Sequence, residues 1–120
     1  MSFNRALLAG SAAVLALAGA ARADNLSGVI GNTSVCAAPD GGVTKVYVDT
    51  ASTYSLSLPN GQTIKGTVKD NGSQICYTDT DPPSSNPPVC TPSVARKVGD
   101  TWEVQARGLT QKCSLQAGKQ

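Results

Sequence analysis

The sequence predicts an all-β fold: an antiparallel meander that closes into a small barrel or a two-layer sandwich, stapled by two disulfides. Three observations point there. Apolar residues recur with period two in short runs, and Pro, Asn, Asp and Gly turns separate the runs. Four cysteines, an even number, are spread through the chain at Cys36, Cys76, Cys90 and Cys113. No stretch beyond residue 23 sustains an apolar pattern of period 3.6, so no long helix is expected.

The chain begins with a different kind of segment. A short polar start containing Arg5 precedes the uncharged run ALLAGSAAVLALAGAA at residues 6–21, and Ala21-Arg22-Ala23 follows. This is the pattern of a Sec-type signal peptide over residues 1–23, with cleavage after Ala23. The run is short and rich in Ala and Gly for a bilayer core about 30 Å thick, so no membrane insertion is expected after cleavage. No cysteine follows it to carry a lipid, and no twin-arginine pair precedes it. The product, a single small β-domain over residues 24–120, is expected in the periplasm or secreted. Arg5 and Arg22 belong to the signal, so the eight Lys and Arg that remain balance eight Asp and Glu. A neutral domain without histidine gives no electrostatic reason to expect nucleic acid as a partner.

The elements follow in order. SVCAAPDGG, residues 34–42, reads as a short helical turn before Pro39 and Gly41, and TKVYVD at 44–49 as a strand. TYSLSL at 53–58 is the clearest alternation, with Tyr54, Leu56 and Leu58 against Thr53, Ser55 and Ser57. Pro59-Asn60-Gly61 turns the chain, since Pro presets its own backbone angle and Gly accepts a positive one. QTIKGTV at 62–68 returns with Ile64 and Val68 on one face, and Asp70-Asn71-Gly72 turns it again into SQICYT at 73–78, where Ile75 and Tyr77 oppose Cys76. A Pro- and Ser-rich loop at 77–89 comes next. SVARKV at 93–98 is read as a strand, TWEVQA at 101–106 as a clear one, and LTQKCSLQA, after Arg107-Gly108, as the last, with Leu109, Cys113 and Leu115 on one face.

Residues 24–120 contain only Tyr47, Tyr54, Tyr77 and Trp102 as aromatics, a thin core for a domain of this size. Cysteine pairing is the expected reinforcement. Of three possible pairings, Cys76 with Cys90 and Cys36 with Cys113 is favoured, because one closes a local loop and the other ties the start of the domain to its end. On the loop-entropy description such bridges are worth about 3 and about 4.5 kcal/mol. With no C-x-x-C and no histidine, redox or mixed zinc sites are not signalled.

Candidate chemistry is sparse. Without histidine there is no Ser-His or Cys-His nucleophile pair. Asp79 and Asp81 form a carboxylate pair that could flank a glycosidic bond or hold a calcium ion. Both sit among prolines and serines with nothing to desolvate them, and solvated loop carboxylates are the plainer reading. Arg96, Lys97, Lys65, Lys69 and Lys112 read as solvated charges on strand faces, and Trp102 as a core anchor whose alternative is a stacking platform at a barrel mouth. The bridged loop, with Asp79, Asp81, Pro82, Pro83, Pro87, Pro88 and Val89, is the candidate interaction surface: exposed loops on β-scaffolds carry binding, and proline lowers the entropy lost on contact.

The stretches TYSLSLPNGQTIKGTV, ICYTDTDPP, PPVCTP and KVGDTW together resemble a group of small exported bacterial β-rich proteins of unassigned function. In them a T-Y strand, an N-G hairpin, C-Y-T, a Pro-rich loop with a second Cys and V-G-D-x-W recur in that order. The meander is also similar in outline to lipocalin-like small barrels and to the small β-barrel inhibitors that bacteria export against their own metalloproteases.

The expectation is therefore an exported, monomeric, non-catalytic binding or accessory envelope protein, with an unknown protein or small ligand as partner and no metal or cofactor. The alternatives are a protease inhibitor presenting the loop, and a hydrolase using Asp79, Asp81 or Glu103.

Overall fold

The computed structural model describes residues 25–106 and 108–120; the expected signal peptide, residues 1–23, lies outside the described residues. Eight strands follow one another: β1 (Thr33–Ala37), β2 (Val43–Val48), β3 (Thr53–Ser57), β4 (Thr63–Asp70), β5 (Gln74–Asp81), β6 (Val89–Pro92), β7 (Thr101–Ala106) and β8 (Leu109–Gln116). They form one antiparallel sheet in the order β6-β5-β4-β3-β2-β1-β8-β7. Because β1 pairs with both β2 and β8, the first and last strands meet, and the sheet curls into a nearly closed barrel. The sandwich alternative falls away.

The seam lies between β6 and β7, which face each other without a hydrogen-bonded ladder. Closure removes most of the sticky edge that a flat sheet would expose. On one side of the seam little edge remains: β6 has four residues and ends on Pro92, which has no N–H to offer.

Two elements differ from the sequence reading. Residues 34–37 belong to β1 instead of a helical turn, and the hairpin after them repeats the chemistry of the one after β3. Ala38 N–H bonds to Gly42 O and Gly41 N–H to Ala38 O, just as Leu58 N–H bonds to Gln62 O and Gly61 N–H to Leu58 O. In each turn the Asx side chain after proline accepts a backbone N–H, Asp40 from Gly42 at 2.8 Å and Asn60 from Gln62 at 2.9 Å. Pro-Asp-Gly and Pro-Asn-Gly thus encode one turn twice.

The second difference concerns residues 93–98, which form no strand. The sixth strand is VCTP at 89–92, placed opposite β5 with Cys90 facing Cys76. Val94 and Val98, the apolar residues that suggested alternation, are 43% and 51% exposed. Their segment instead runs beside β8, with Gly99 N–H bonded to Leu115 O and Leu115 N–H to Asp100 O. The Asp100 carboxylate accepts the Lys97 N–H at 3.0 Å, and Gly99 takes a φ of +98°, so KVGD is a tight turn that delivers Trp102 inward. The expected loop also shrinks: β5 runs to Asp81 and β6 starts at Val89, which leaves residues 82–88 as the free connection.

The barrel's two ends are unlike. One carries the 38–42 and 58–62 hairpins and the 82–88 loop. The other is filled by Val48, Val68, Ile75 and Leu115 and capped by the turns of residues 25–29, whose Leu26 and Val29 join the core. Gly31 N–H bonds to Val48 O at 2.7 Å and fixes this cap to β2. Gly28 is required beneath it, since a Cβ there would meet the Arg96 carbonyl oxygen at 1.8 Å. Polar links complete the closed end: Asn25 donates to Ser93, and Ser93 Oγ and Gly72 N–H both donate to Asp70 Oδ1.

Both disulfides are formed, Cys36–Cys113 and Cys76–Cys90, and no free cysteine remains among the described residues. Oxidised cysteines of this kind are those of an oxidising, extracytoplasmic compartment. The two bridges differ in position. Cys36 and Cys113 are buried and clamp β1 to β8 from within, at the junction that closes the barrel. Cys76 and Cys90 lie on the outside, where Cys90 is exposed, and hold the short β6 against β5.

Candidate ligand-binding cavity

Strand alternation sends one side chain in two toward the barrel axis, and a small barrel normally fills its interior with them. Here the filling is incomplete. Toward the end that bears the 82–88 loop the interior holds a cavity of about 170 Å³. Its wall is mostly apolar: Leu56 and Leu58 from β3 and the residue after it, Val89 from β6, and Val104 and Ala106 from β7. Three aromatic side chains complete it, Tyr54, Tyr77 and Trp102. Ser34, Thr44, Thr91 and Gln111 contribute hydroxyl and amide groups, and Asp79 a carboxylate.

The aromatic wall is built by three strands. Tyr54 on β3 is 2% exposed, and its ring meets that of Tyr77 on β5 edge to face, with centroids 5.2 Å apart and planes at 88°. These strands are not neighbours. β4 lies between them, and Gly66 stands there opposite both Tyr54 and Asp79. A Cβ on Gly66 would come within 2.7 Å of the Tyr54 ring and 2.1 Å of the Thr78 carbonyl oxygen. The glycine therefore leaves the space through which Tyr54 passes over β4, and the Tyr54 hydroxyl donates a hydrogen bond to Asp79 Oδ1.

β5 makes a bulge beside this glycine. Gly66 pairs with Asp79 and Lys65 with Asp81, so Thr80 is an extra residue that breaks the alternation. The carboxylate pair of the sequence reading is thus parted. Asp79 lies in β5, half-buried in the cavity wall, and Asp81 is exposed at the strand's end, joined to Pro82 by a cis peptide bond. Asp79 thus belongs to a strand and to the cavity wall, and not to the free loop.

Trp102 is half-buried, with its ring in the cavity wall and the Arg96 guanidinium 4.3 Å from the ring centroid. Arg96, read from sequence as a solvated charge, is instead a stacking partner. Burial lowers its affinity for its proton, against the pull of Asp100 and Tyr77. Burial likewise raises the Tyr77 phenol above its ordinary value of 10.0, opposed by the Arg96 charge.

Of the candidate loop residues, Pro82, Pro83, Pro87 and Pro88 are all exposed. Only Val89 and Asp79 join the cavity. Asn86, Pro87 and Pro88 also border an open depression over the β6–β7 seam, across from Gln105 and Ala106. Glu103 is exposed on the outer face of β7. Among the described residues, no three His, Cys, Asp or Glu side chains gather as a metal site would require. The sequence reading missed Gly66 and Arg96. A glycine inside the run QTIKGTV does signal a close approach by other atoms, but it does not say which atoms come near.

Comparison of the chain with protein-family models, with curated proteins and with solved structures returns no match.

Proposed function

We propose that the chain is an exported, non-catalytic binding protein that takes a small, largely apolar ligand inside its barrel. The observation that carries this reading is the 170 Å³ cavity walled by Tyr54, Tyr77 and Trp102. Apolar pockets with a few placed polar groups are the usual form of a small-molecule site. An apolar cavity of about 150 Å³ accepts benzene, which sets the scale at one ring. Export is supported by the pattern of residues 1–23 and by the disulfides, with the mature chain beginning at Asp24 in the periplasm or outside the cell. The resemblance to small exported bacterial β-proteins agrees with it, and the domain acts as a monomer in this reading.

Trp102 is the chain's single tryptophan and reports directly on the cavity. Titration of the mature protein with phenol, toluene and indole, followed by tryptophan emission, is expected to saturate for at least one of them. Val104→Phe, which fills the space, is expected to abolish the response. A flat titration with all three probes, or an unchanged response in the filled variant, would defeat the reading.

A further inference from the structure

Resting on export with cleavage after Ala23, as proposed above, we infer that Asp70 is the receptor for the α-ammonium released at Asp24, and that this pair locks the closed end of the barrel once the signal is removed. Asp70 is the last residue of β4, and only one of its carboxylate oxygens is satisfied. Oδ1 accepts hydrogen bonds from Ser93 Oγ and from the Gly72 N–H, both at 2.9 Å. Oδ2 is buried and has no hydrogen-bond partner. A carboxylate oxygen withdrawn from water without a donor destabilises the fold, and a charged donor relieves it most.

That carboxylate lies two hydrogen bonds from the start of the described chain. Asn25 Nδ2 donates to Ser93 Oγ at 2.7 Å, and Ser93 Oγ donates in turn to Asp70. Asn25 is held there as the first residue of the cap whose Leu26 and Val29 enter the core. Residue 24, outside the described residues, precedes it directly, and one residue spans at most about 3.6 Å. The chain thus tethers the nitrogen of residue 24 within reach of Oδ2. Lys69, beside Asp70 in sequence, is exposed and takes the opposite face of β4.

Processing changes what that nitrogen can do. In the unprocessed chain it is the amide of the Ala23–Asp24 bond, with one N–H and no charge. A signal peptidase of the export route adds water across the bond: the hydroxyl goes to the Ala23 carbonyl carbon and the hydrogen to the Asp24 nitrogen. The amine so released takes a proton from solvent at neutral pH. Three donors and a positive charge replace one neutral donor, so cleavage itself supplies the partner that Asp70 lacks.

The test uses the exported, disulfide-bonded protein at pH 7. Intact mass and N-terminal sequencing are expected to give Asp24 as the first residue. In a variant with Gly-Ser inserted between Ala23 and Asp24, cleavage leaves the amine two residues early, and Tm is expected to fall by about 5 °C. In the Asp70→Asn background the same insertion is expected to shift Tm by less than about 1 °C. The wild-type α-amine is also expected to react with an acylating reagent at least roughly tenfold more slowly than in denaturant, a measurement that stands where Asp70→Asn does not fold. An unprocessed chain, or one that starts elsewhere, sinks the cleavage reading and this pair together. Cleavage at Asp24 followed by equal reactivity, an insertion without effect, or an equal loss in Asp70→Asn overturns the pair alone.

Discussion

The ring of Tyr54 passes over Gly66 of the neighbouring strand, and its hydroxyl donates a hydrogen bond to Asp79 one strand further on. A single side chain therefore spans β3, β4 and β5 on the inner surface of the barrel. The missing side chain at residue 66 makes this possible. It allows a strongly curved part of the sheet to be packed by one large ring in a domain with few large side chains.

Gly66→Ala tests this directly. The added Cβ would meet the Thr78 carbonyl at 2.1 Å, and a backbone atom in a paired strand cannot swing aside. The variant is expected to lose about 3 kcal/mol in urea unfolding, at the upper end of overpacking costs. A loss under about 0.5 kcal/mol would show that β4 can shift and that the glycine is not needed.

Tyr54→Phe keeps the ring and removes the donor. Asp79 then loses a hydrogen bond in a half-buried position, and stability is expected to fall by about 1–2 kcal/mol. Tyr54→Ala, which also empties the space above Gly66, is expected to cost at least about 2 kcal/mol more. Equal losses for the two variants would mean that the hydroxyl, not the ring, supplies the stabilisation.

The two disulfides are expected to respond differently to reductant. Cys36 and Cys113 are 7% and 3% exposed, whereas Cys90 is exposed. Under mild dithiothreitol, alkylation and mass analysis should find Cys76 and Cys90 labelled first. Replacing the Cys36–Cys113 pair by alanine is expected to cost about 4.5 kcal/mol, and the Cys76–Cys90 pair about 3 kcal/mol, from the loops they close. Labelling of the inner pair before the outer would contradict the placement.

Tyr77 predicts an alkaline limit. Burial raises its phenol in the folded protein above the value of 10.0 that it regains on unfolding, so the folded state holds its proton more tightly. The stability this gives is intact below pH 10 and declines as pH rises from there through the folded-state value. Tyr77→Phe should flatten that part of the stability curve. An identical slope above pH 10 in the variant would assign the loss to other groups.

Much of the fold was legible because its code is local. The alternation of Tyr54, Leu56 and Leu58, the Pro59-Asn60-Gly61 and Asp70-Asn71-Gly72 turns, and the pairing of Trp102, Val104 and Ala106 each need only neighbours in sequence to be read. β6 was not legible in this way. VCTP has a single inward aliphatic residue, Val89, and is held in place by the Cys76–Cys90 bridge and its ladder to β5. SVARKV misled for the converse reason: its valines alternate, but the barrel has no room for another strand beside β8, whose edge there is already bonded to Gly99 and Asp100. The Pro39-Asp40-Gly41 turn was readable by comparison with Pro59-Asn60-Gly61, which has the same order of residue types.

The sequence by itself determined that this is a disulfide-bonded β-meander, because strand faces and turns are written in nearest-neighbour spacing and the cysteine count is even. Only the tertiary structure decided that Asp79 leaves the loop for the interior, that Arg96 stacks on Trp102, and that three aromatic rings surround one cavity. Those facts depend on where curvature, a bulge at Thr80 and a missing side chain at Gly66 carry residues far apart in sequence. Local spacing fixes which face a side chain takes; closure of the sheet fixes what it finds there.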